Sequence, residues 1–244
     1  MTATHFLMAA AGFALMCAAP VLAGPPYQTD DPEPTDLHHW EIYNFAAVDG
    51  RHSEFDGAAG VDLNYGAAKD LQLTATLPMA FSHAPDTGWR GGRGDVEIGA
   101  KYRFINDDQA GLQAAVFPRV ILPTSSRDLG GRRARLLLPL WVQKDLGKTS
   151  FFGGGGYEIN SGGGNRNLWQ AGLAVTHDFS DRLQLGTEVN WQSPDERGAN
   201  DSVGVDLGMI RNLGGPYALL VAAGPTFSGG QTSFHGYLAL GLHF

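Results

Sequence analysis

Eleven residues of this chain share a chemistry and a spacing that could act together: Asp62, Asp95, Glu97, Lys101, Arg103, Arg119, Arg135, Glu158, Glu188, Asp206 and His235. Each falls on the polar parity of a segment in which polar and apolar residues alternate, and a period of two places them on one face of a strand. Asn64, Trp141, Gln170, Asp178, Gln184, Asn190 and Tyr237 share that parity. The chemistry open to such a set is electrostatic, because rings of side-chain charge select the solutes that cross a pore. Both signs are present, so a second reading stays open, in which the groups are a salt-bridged, hydrogen-bonded filling. Glu97 or Asp95 would then pair with Arg119 and Arg135, each offsetting the other's desolvation.

Covalent and metal chemistry find little support. No Gly-x-Ser-x-Gly elbow exists, and His83, Asp86, Ser228, Ser233 and His235 form no set of shared parity. An enzyme is not expected; a barrel-borne lipid hydrolase is the least favoured alternative. His38 and His39 lie near Asp30 and Asp31, but adjacent histidines point opposite ways on a strand, so no metal site is expected. The four glycines at 153–156 precede no Lys-Ser/Thr pair, so they are not a phosphate loop. They leave room for a bulky neighbour or another segment to approach. No cofactor is expected. A net charge of −8 argues against nucleic acid. The main basic cluster, Arg127, Arg132 and Arg133, suits phosphate groups such as those of lipopolysaccharide, or serves as a solvated loop.

The elements that must position these residues are strands. Charged residues make up 17% of the chain, below the roughly 25% usual in soluble domains. Residues 6–23 form an apolar, small-residue stretch ending Val21-Leu22-Ala23, the pattern of a signal peptide cleaved after Ala23. Its departure is the absence of Lys or Arg among residues 1–5. The single cysteine, Cys17, lies within it, so the processed chain has no thiol chemistry. Residues 24–38 contain Pro25, Pro26, Pro32 and Pro34, which forbid a helix or a central strand and predict an extended arm. That arm is expected on the periplasmic side, free or folded back into a barrel mouth. Beyond the leader no apolar run reaches the ~20 residues of a spanning helix.

Twelve alternating segments follow, at residues 39–48, 58–67, 71–81, 95–104, 110–122, 135–144, 151–159, 167–179, 183–191, 202–210, 217–225 and 233–244. Each is near the ~9–11 residues of a tilted membrane strand. Their connections alternate between short turns and longer loops, the asymmetry of outer-membrane barrels. In the last segment Phe234, Leu238, Leu240, Leu242 and Phe244 share one parity, and the sequence ends on that aromatic residue. Trp40, Tyr43, Trp89, Phe104, Phe151, Phe152, Tyr157, Trp169, Phe179, Trp191, Tyr217 and Phe244 lie near segment ends and predict interfacial girdles.

The stretch Gly94-Asp95-Val96-Glu97-Ile98-Gly99-Ala100-Lys101-Tyr102-Arg103 resembles a characteristic strand of the outer-membrane family associated with the phenol-degradation meta pathway. Leu122-Pro123-Thr124 resembles that family's Leu-Pro-Thr-Gly element, with Ser125 in place of the glycine. Pro139, Leu140, Lys144 and the amino-terminal Pro26-Tyr27-Gln28-Thr29-Asp30-Asp31-Pro32 are also similar. The resemblance implies a barrel associated with small, often aromatic or apolar compounds, and it brings no catalytic residues. The final Phe244 resembles the signal read by the outer-membrane assembly machinery.

The expected protein is therefore all-β: a closed antiparallel transmembrane barrel of about 12 strands over residues 39–244, with the Pro-rich arm at 24–38 and a signal peptide at 1–23. Its expected place is the bacterial outer membrane, with the lipid bilayer, lipopolysaccharide, the assembly machinery and a small-molecule solute as partners. The expected function is passive passage of small compounds; a closed structural or surface-interaction barrel is the alternative.

Overall fold

The computed structural model describes residues 26–127 and 129–244, so the expected signal peptide lies outside the described residues. Fourteen strand segments form one sheet: β1 (Trp40–Arg51), β2 (Glu54–Ala68), β3 (Leu71–Ala84), β4 (Gly88–Arg93), β5 (Val96–Asp107), β6 (Leu112–Val116), β7 (Arg119–Leu122), β8 (Arg135–Leu146), β9 (Thr149–Ile159), β10 (Leu168–Ser180), β11 (Leu183–Gln192), β12 (Ser202–Gly214), β13 (Tyr217–Ser228) and β14 (Gln231–His243). Both β4 and β5 pair with β3, both β6 and β7 pair with β5 and β8, and β4 pairs with β3 alone. Each pair of segments is thus one interrupted strand, and the barrel has twelve. The second interruption falls at Phe117-Pro118, where proline has no N–H to give the ladder.

Closure comes from β1 pairing antiparallel with β14. Trp40 N donates to Phe244 O at 2.7 Å and Phe244 N to Trp40 O at 3.0 Å, so the last residue is stitched to the first strand. Apart from β4, whose far side pairs with no strand among the described residues, the closed sheet leaves no unpaired edge, which is the condition for strands in lipid.

All connections at the end holding β1's start and β14's finish are short, and four strand pairs there carry a register shift. The opposite end differs from expectation. Only residues 123–134, 160–167 and 193–201 are extended loops there. The stretches expected as loops at 49–57, 82–94 and 226–232 are mostly strand. At β13–β14 the cause is the Gly229-Gly230 turn, with φ of 54° and 76°, a two-residue hairpin whose twist suits continued pairing.

The parity sorts the side chains. Leu73, Leu77, Ile98, Leu140, Leu173 and Leu207 are exposed on the outer wall. Aromatic residues flank that band: Tyr102, Phe104, Phe179, Tyr217 and Phe244 at the short-turn end, Trp89, Trp169, Phe227 and Phe234 at the other. Tyr43 and Phe152 do not join the girdles. Both are buried on the inner face, Tyr43 donating to Glu41 and Phe152 lying opposite Gln143.

Candidate functional site

The site is the lumen, and a segment of the chain itself crosses it. Residues 26–38, expected as an arm either free on the periplasmic side or folded back into the barrel mouth, run extended across the inside of the wall. The strap begins beside β11, where the Glu188 carboxylate accepts the amides of Gln28 (2.8 Å) and Thr29 (2.9 Å). Tyr27 lies against Gly186 and Gly208, and Thr29 against Gly172. A β-carbon at Gly208 or Gly172 would collide with the strap, so these inward-facing glycines are its floor. On the far side Lys101 Nζ donates to Asp30 (3.1 Å), to Asp31 (3.4 Å) and to the Glu33 carbonyl (3.2 Å). Thr35 then donates its amide and hydroxyl to Gln72 Oε1 at 2.8 and 3.1 Å. The His38 amide bonds to the Gly66 carbonyl before β1 begins. Three prolines of this stretch lack amide donors, and the amides of Gln28, Thr29, Asp31, Glu33 and Thr35 find side-chain oxygens instead, which is why an extended segment can be buried here.

Burial changes the titration of the strap. It pushes Tyr27 up, helped by the negative charges of Glu188 and Asp206. Asp31 is raised by burial against the opposing pull of Lys101. Glu33 is pushed up from 4.5 to about 7, by burial first and by Asp31 second.

The predicted lumen residues fall into two groups. Around β5 to β9 each of these predicted charges meets its opposite, while Asp145 on β8 accepts from Gln143 and Ser150 instead. Arg119 pairs with Glu97 at 3.1 Å, Arg103 with Asp70 at 2.8 Å, and Arg135 with Glu158 at 3.0 Å and Asp95 at 3.8 Å. Phe117 lies between two cations, 5.2 Å from Lys101 Nζ and 4.9 Å from Arg119 Cζ, where the ring face attracts both. Asp95 also accepts the amides of Ser125 and Gly131, drawing the 123–134 loop over the mouth. From β11 round to β2 the picture changes. Asp62 accepts only from Thr76 and Asn64, and no backbone amide, hydroxyl or Lys/Arg donor reaches the Asp206 carboxylate among the described residues. His235 bonds Asp49 at 2.9 Å.

Cavities open along the lumen. One of about 1220 Å³ opens at the long-loop end, beside Asp49, Asp56, Ser82 and Asn200. One of about 170 Å³ lies mid-lumen between the strap and Glu41, Asp62, Glu97, Lys101 and Arg119. One of about 520 Å³ opens at the short-turn end beneath Asp31 and Glu33. The strap separates the last two.

Sequence reasoning missed an apolar patch inside: Tyr43, Ile210, Ala218, Leu220 and Ala239, with Phe45 and Tyr237 packed on it. The signal was the run at 217–223, apolar on both parities, which lets β13 face lipid and lumen with hydrocarbon alike. The run at 153–156 serves a neighbour: Trp141 leans across Gly154.

A closed, twelve-stranded, outwardly apolar barrel with a polar lumen is the outer-membrane channel fold. The chain belongs to the family described as "Putative MetA-pathway of phenol degradation", whose profile matches residues 67–211. Among solved structures it is similar to an outer membrane channel from Pseudomonas putida F1, with 14% identity, a TM-score of 0.72, and coverage of 88% of this chain and 98% of that one. It is also similar to the KdgM porin (8% identity, TM-score 0.59, 84% and 99% covered). The NanC porin is a third relative in fold (9% identity, TM-score 0.58, 83% and 98% covered). No curated protein sequence matches the chain.

Proposed function

We propose that the protein is a passive channel of the bacterial outer membrane for small solutes, and not an enzyme. The observation that carries this reading is a lipid-facing outer wall around a lumen of cavities lined by charged and amide side chains. Family membership supports small aromatic or apolar compounds as solutes, and the inner patch around Leu220 and Tyr43 gives such compounds an apolar surface. In the membrane the exposed guanidinium groups of Arg127 and Arg133 meet lipopolysaccharide phosphates, and Phe244 serves as the assembly signal. Export of the processed chain follows cleavage after Ala23.

The strap favours a second reading, a closed structural barrel, because it crosses the passage. Conductance of purified, leader-free protein in planar bilayers separates the two. Stepwise currents support the channel; silence at high protein concentration supports the closed barrel.

A further inference from the structure

One row of inward residues climbs the wall at constant register. Glu188 on β11 stands opposite Asp206 on β12. Asp206 leans over Gly224, its Oδ1 only 2.7 Å from where a β-carbon there would sit. Gly224 pairs with His235, His235 with Asp49, and Asp49 with Asp56. The row thus runs from the strap's anchor to the mouth, and its carboxylates face one another with a single imidazole among them. Among the described residues, Arg51, at the tip of the β1–β2 hairpin beside Glu54, is the only Lys or Arg lining the wide mouth cavity, against Asp49, Glu54, Asp56 and Asp195.

Asp206 is the decisive member. Its residue is 1% exposed, no backbone amide, hydroxyl or Lys/Arg donor reaches its carboxylate oxygens among the described residues, and its charged neighbours are the Glu188 carboxyl and the His235 imidazole. Glu188, also 1% exposed, spends both oxygens on the strap's amides. Two buried carboxyl groups side by side, with one imidazole near them, are costly to ionise together, and a cation relieves that cost. Acidic rings make cation channels, and low-dielectric walls focus the field. Beside the row on β1 and β14, Phe45 stacks on Tyr237 with centroids 6.4 Å apart, and aromatic faces accept ammonium groups.

We propose that the wall from β11 to β2 is a path for small cations, inorganic or organic ammonium, with Asp206 setting the preference. The inference rests on the channel reading. Its test is the reversal potential of the full processed chain in planar bilayers under a KCl gradient. The expected sign is that of K⁺ preference, kept when choline replaces K⁺. Asp206→Asn lowers the cation-to-anion permeability ratio several-fold, whereas Asp108→Asn, in an exposed turn, leaves it unchanged. Should Asp206→Asn fail to form a heat-modifiable barrel, the Asp49→Asn/Asp56→Asn pair replaces it, with the same expected direction. Currents that reverse at zero or on the Cl⁻ side, or a ratio untouched by these variants, overturn the cation path and leave the channel standing. If no current passes at all, the channel reading falls, and the path with it.

Discussion

Two halves of one wall treat charge in opposite ways. From β5 to β9, each lysine or arginine on the inner face meets a carboxylate within 4 Å: Lys101, Arg103, Arg119 and Arg135. From β11 to β2, carboxylates outnumber cations, and those that are satisfied lean on amides and hydroxyls or, at Asp49, on the His235 imidazole. The first half resembles a packed interior, in which paired charge holds neighbouring strands and the strap in register. The second half keeps its charge unspent, which is what an interaction with a passing solute requires. Structure and selectivity are thereby assigned to different sides of the same lumen.

The largest test of this division is Lys101→Met. Lys101's side chain is 2% exposed, and its removal leaves Asp30 and Asp31 without their cation. Breaking one partner of a buried pair costs about 3–5 kcal/mol. The loss is expected to fall on the strap more than on the barrel, because the twelve-strand ladder does not use this side chain. Hydrogen exchange at the Gln28 and Thr29 amides should accelerate roughly a hundredfold or more, and single-channel conductance should rise. Unchanged protection of those amides would mean that Glu188 alone seats the strap and that the paired wall does not hold it.

A smaller effect is expected from Arg119→Ala. The Arg119–Glu97 pair is about one-fifth exposed, so its contribution to stability is below about 1 kcal/mol. Its electrical effect is larger than its energetic one. Glu97 becomes an unpaired acid beside the mid-lumen cavity, so the paired half begins to resemble the other half. The reversal potential should move further toward K⁺ while the unfolding temperature in detergent stays nearly constant. A shift toward Cl⁻ would show that the two halves do not differ in the way the ion pairs imply.

Much of this was legible in the residues. Strand count and parity followed from alternation, since a period of two has no competing explanation over such lengths, and in β5 Val96, Ile98 and Ala100 separate cleanly from Glu97, Gly99 and Lys101. The pairing of Glu97 with Arg119 and of Asp95 with Arg135 was also foreseeable, because neighbouring strands bring those positions together. Three things were not legible. The hairpins at 49–57 and 82–94 looked like loops because polar tips carry no periodic signal, though Trp89 and His83 pair in register there. Tyr43 and Phe152 looked like girdle residues because aromatic type says nothing of which face it takes. The strap's seat was hidden because the partners of Lys101 and Glu188 are some 70 and 160 residues away, and only the closed wall brings them together.

The smallest expected effect separates the strap from both halves, and it is a pH dependence. Glu33 lies outside the spanning strands, and seating the strap raises its pKa from 4.5 to about 7, through burial and then through Asp31. The seated strap therefore holds this proton more tightly than a released one. Its contribution to seating is complete below about 4.5 and is lost as pH rises through about 7. Asp31, also raised by burial, acts in the same direction. Conductance should accordingly be lowest in acid and increase toward neutral pH, opposite to a barrel whose filling depends only on ionised pairs. Glu33→Gln keeps an uncharged side chain at every pH and should flatten the part of the profile between those values. Identical profiles for the two proteins would assign the pH response to the wall carboxylates instead of the strap.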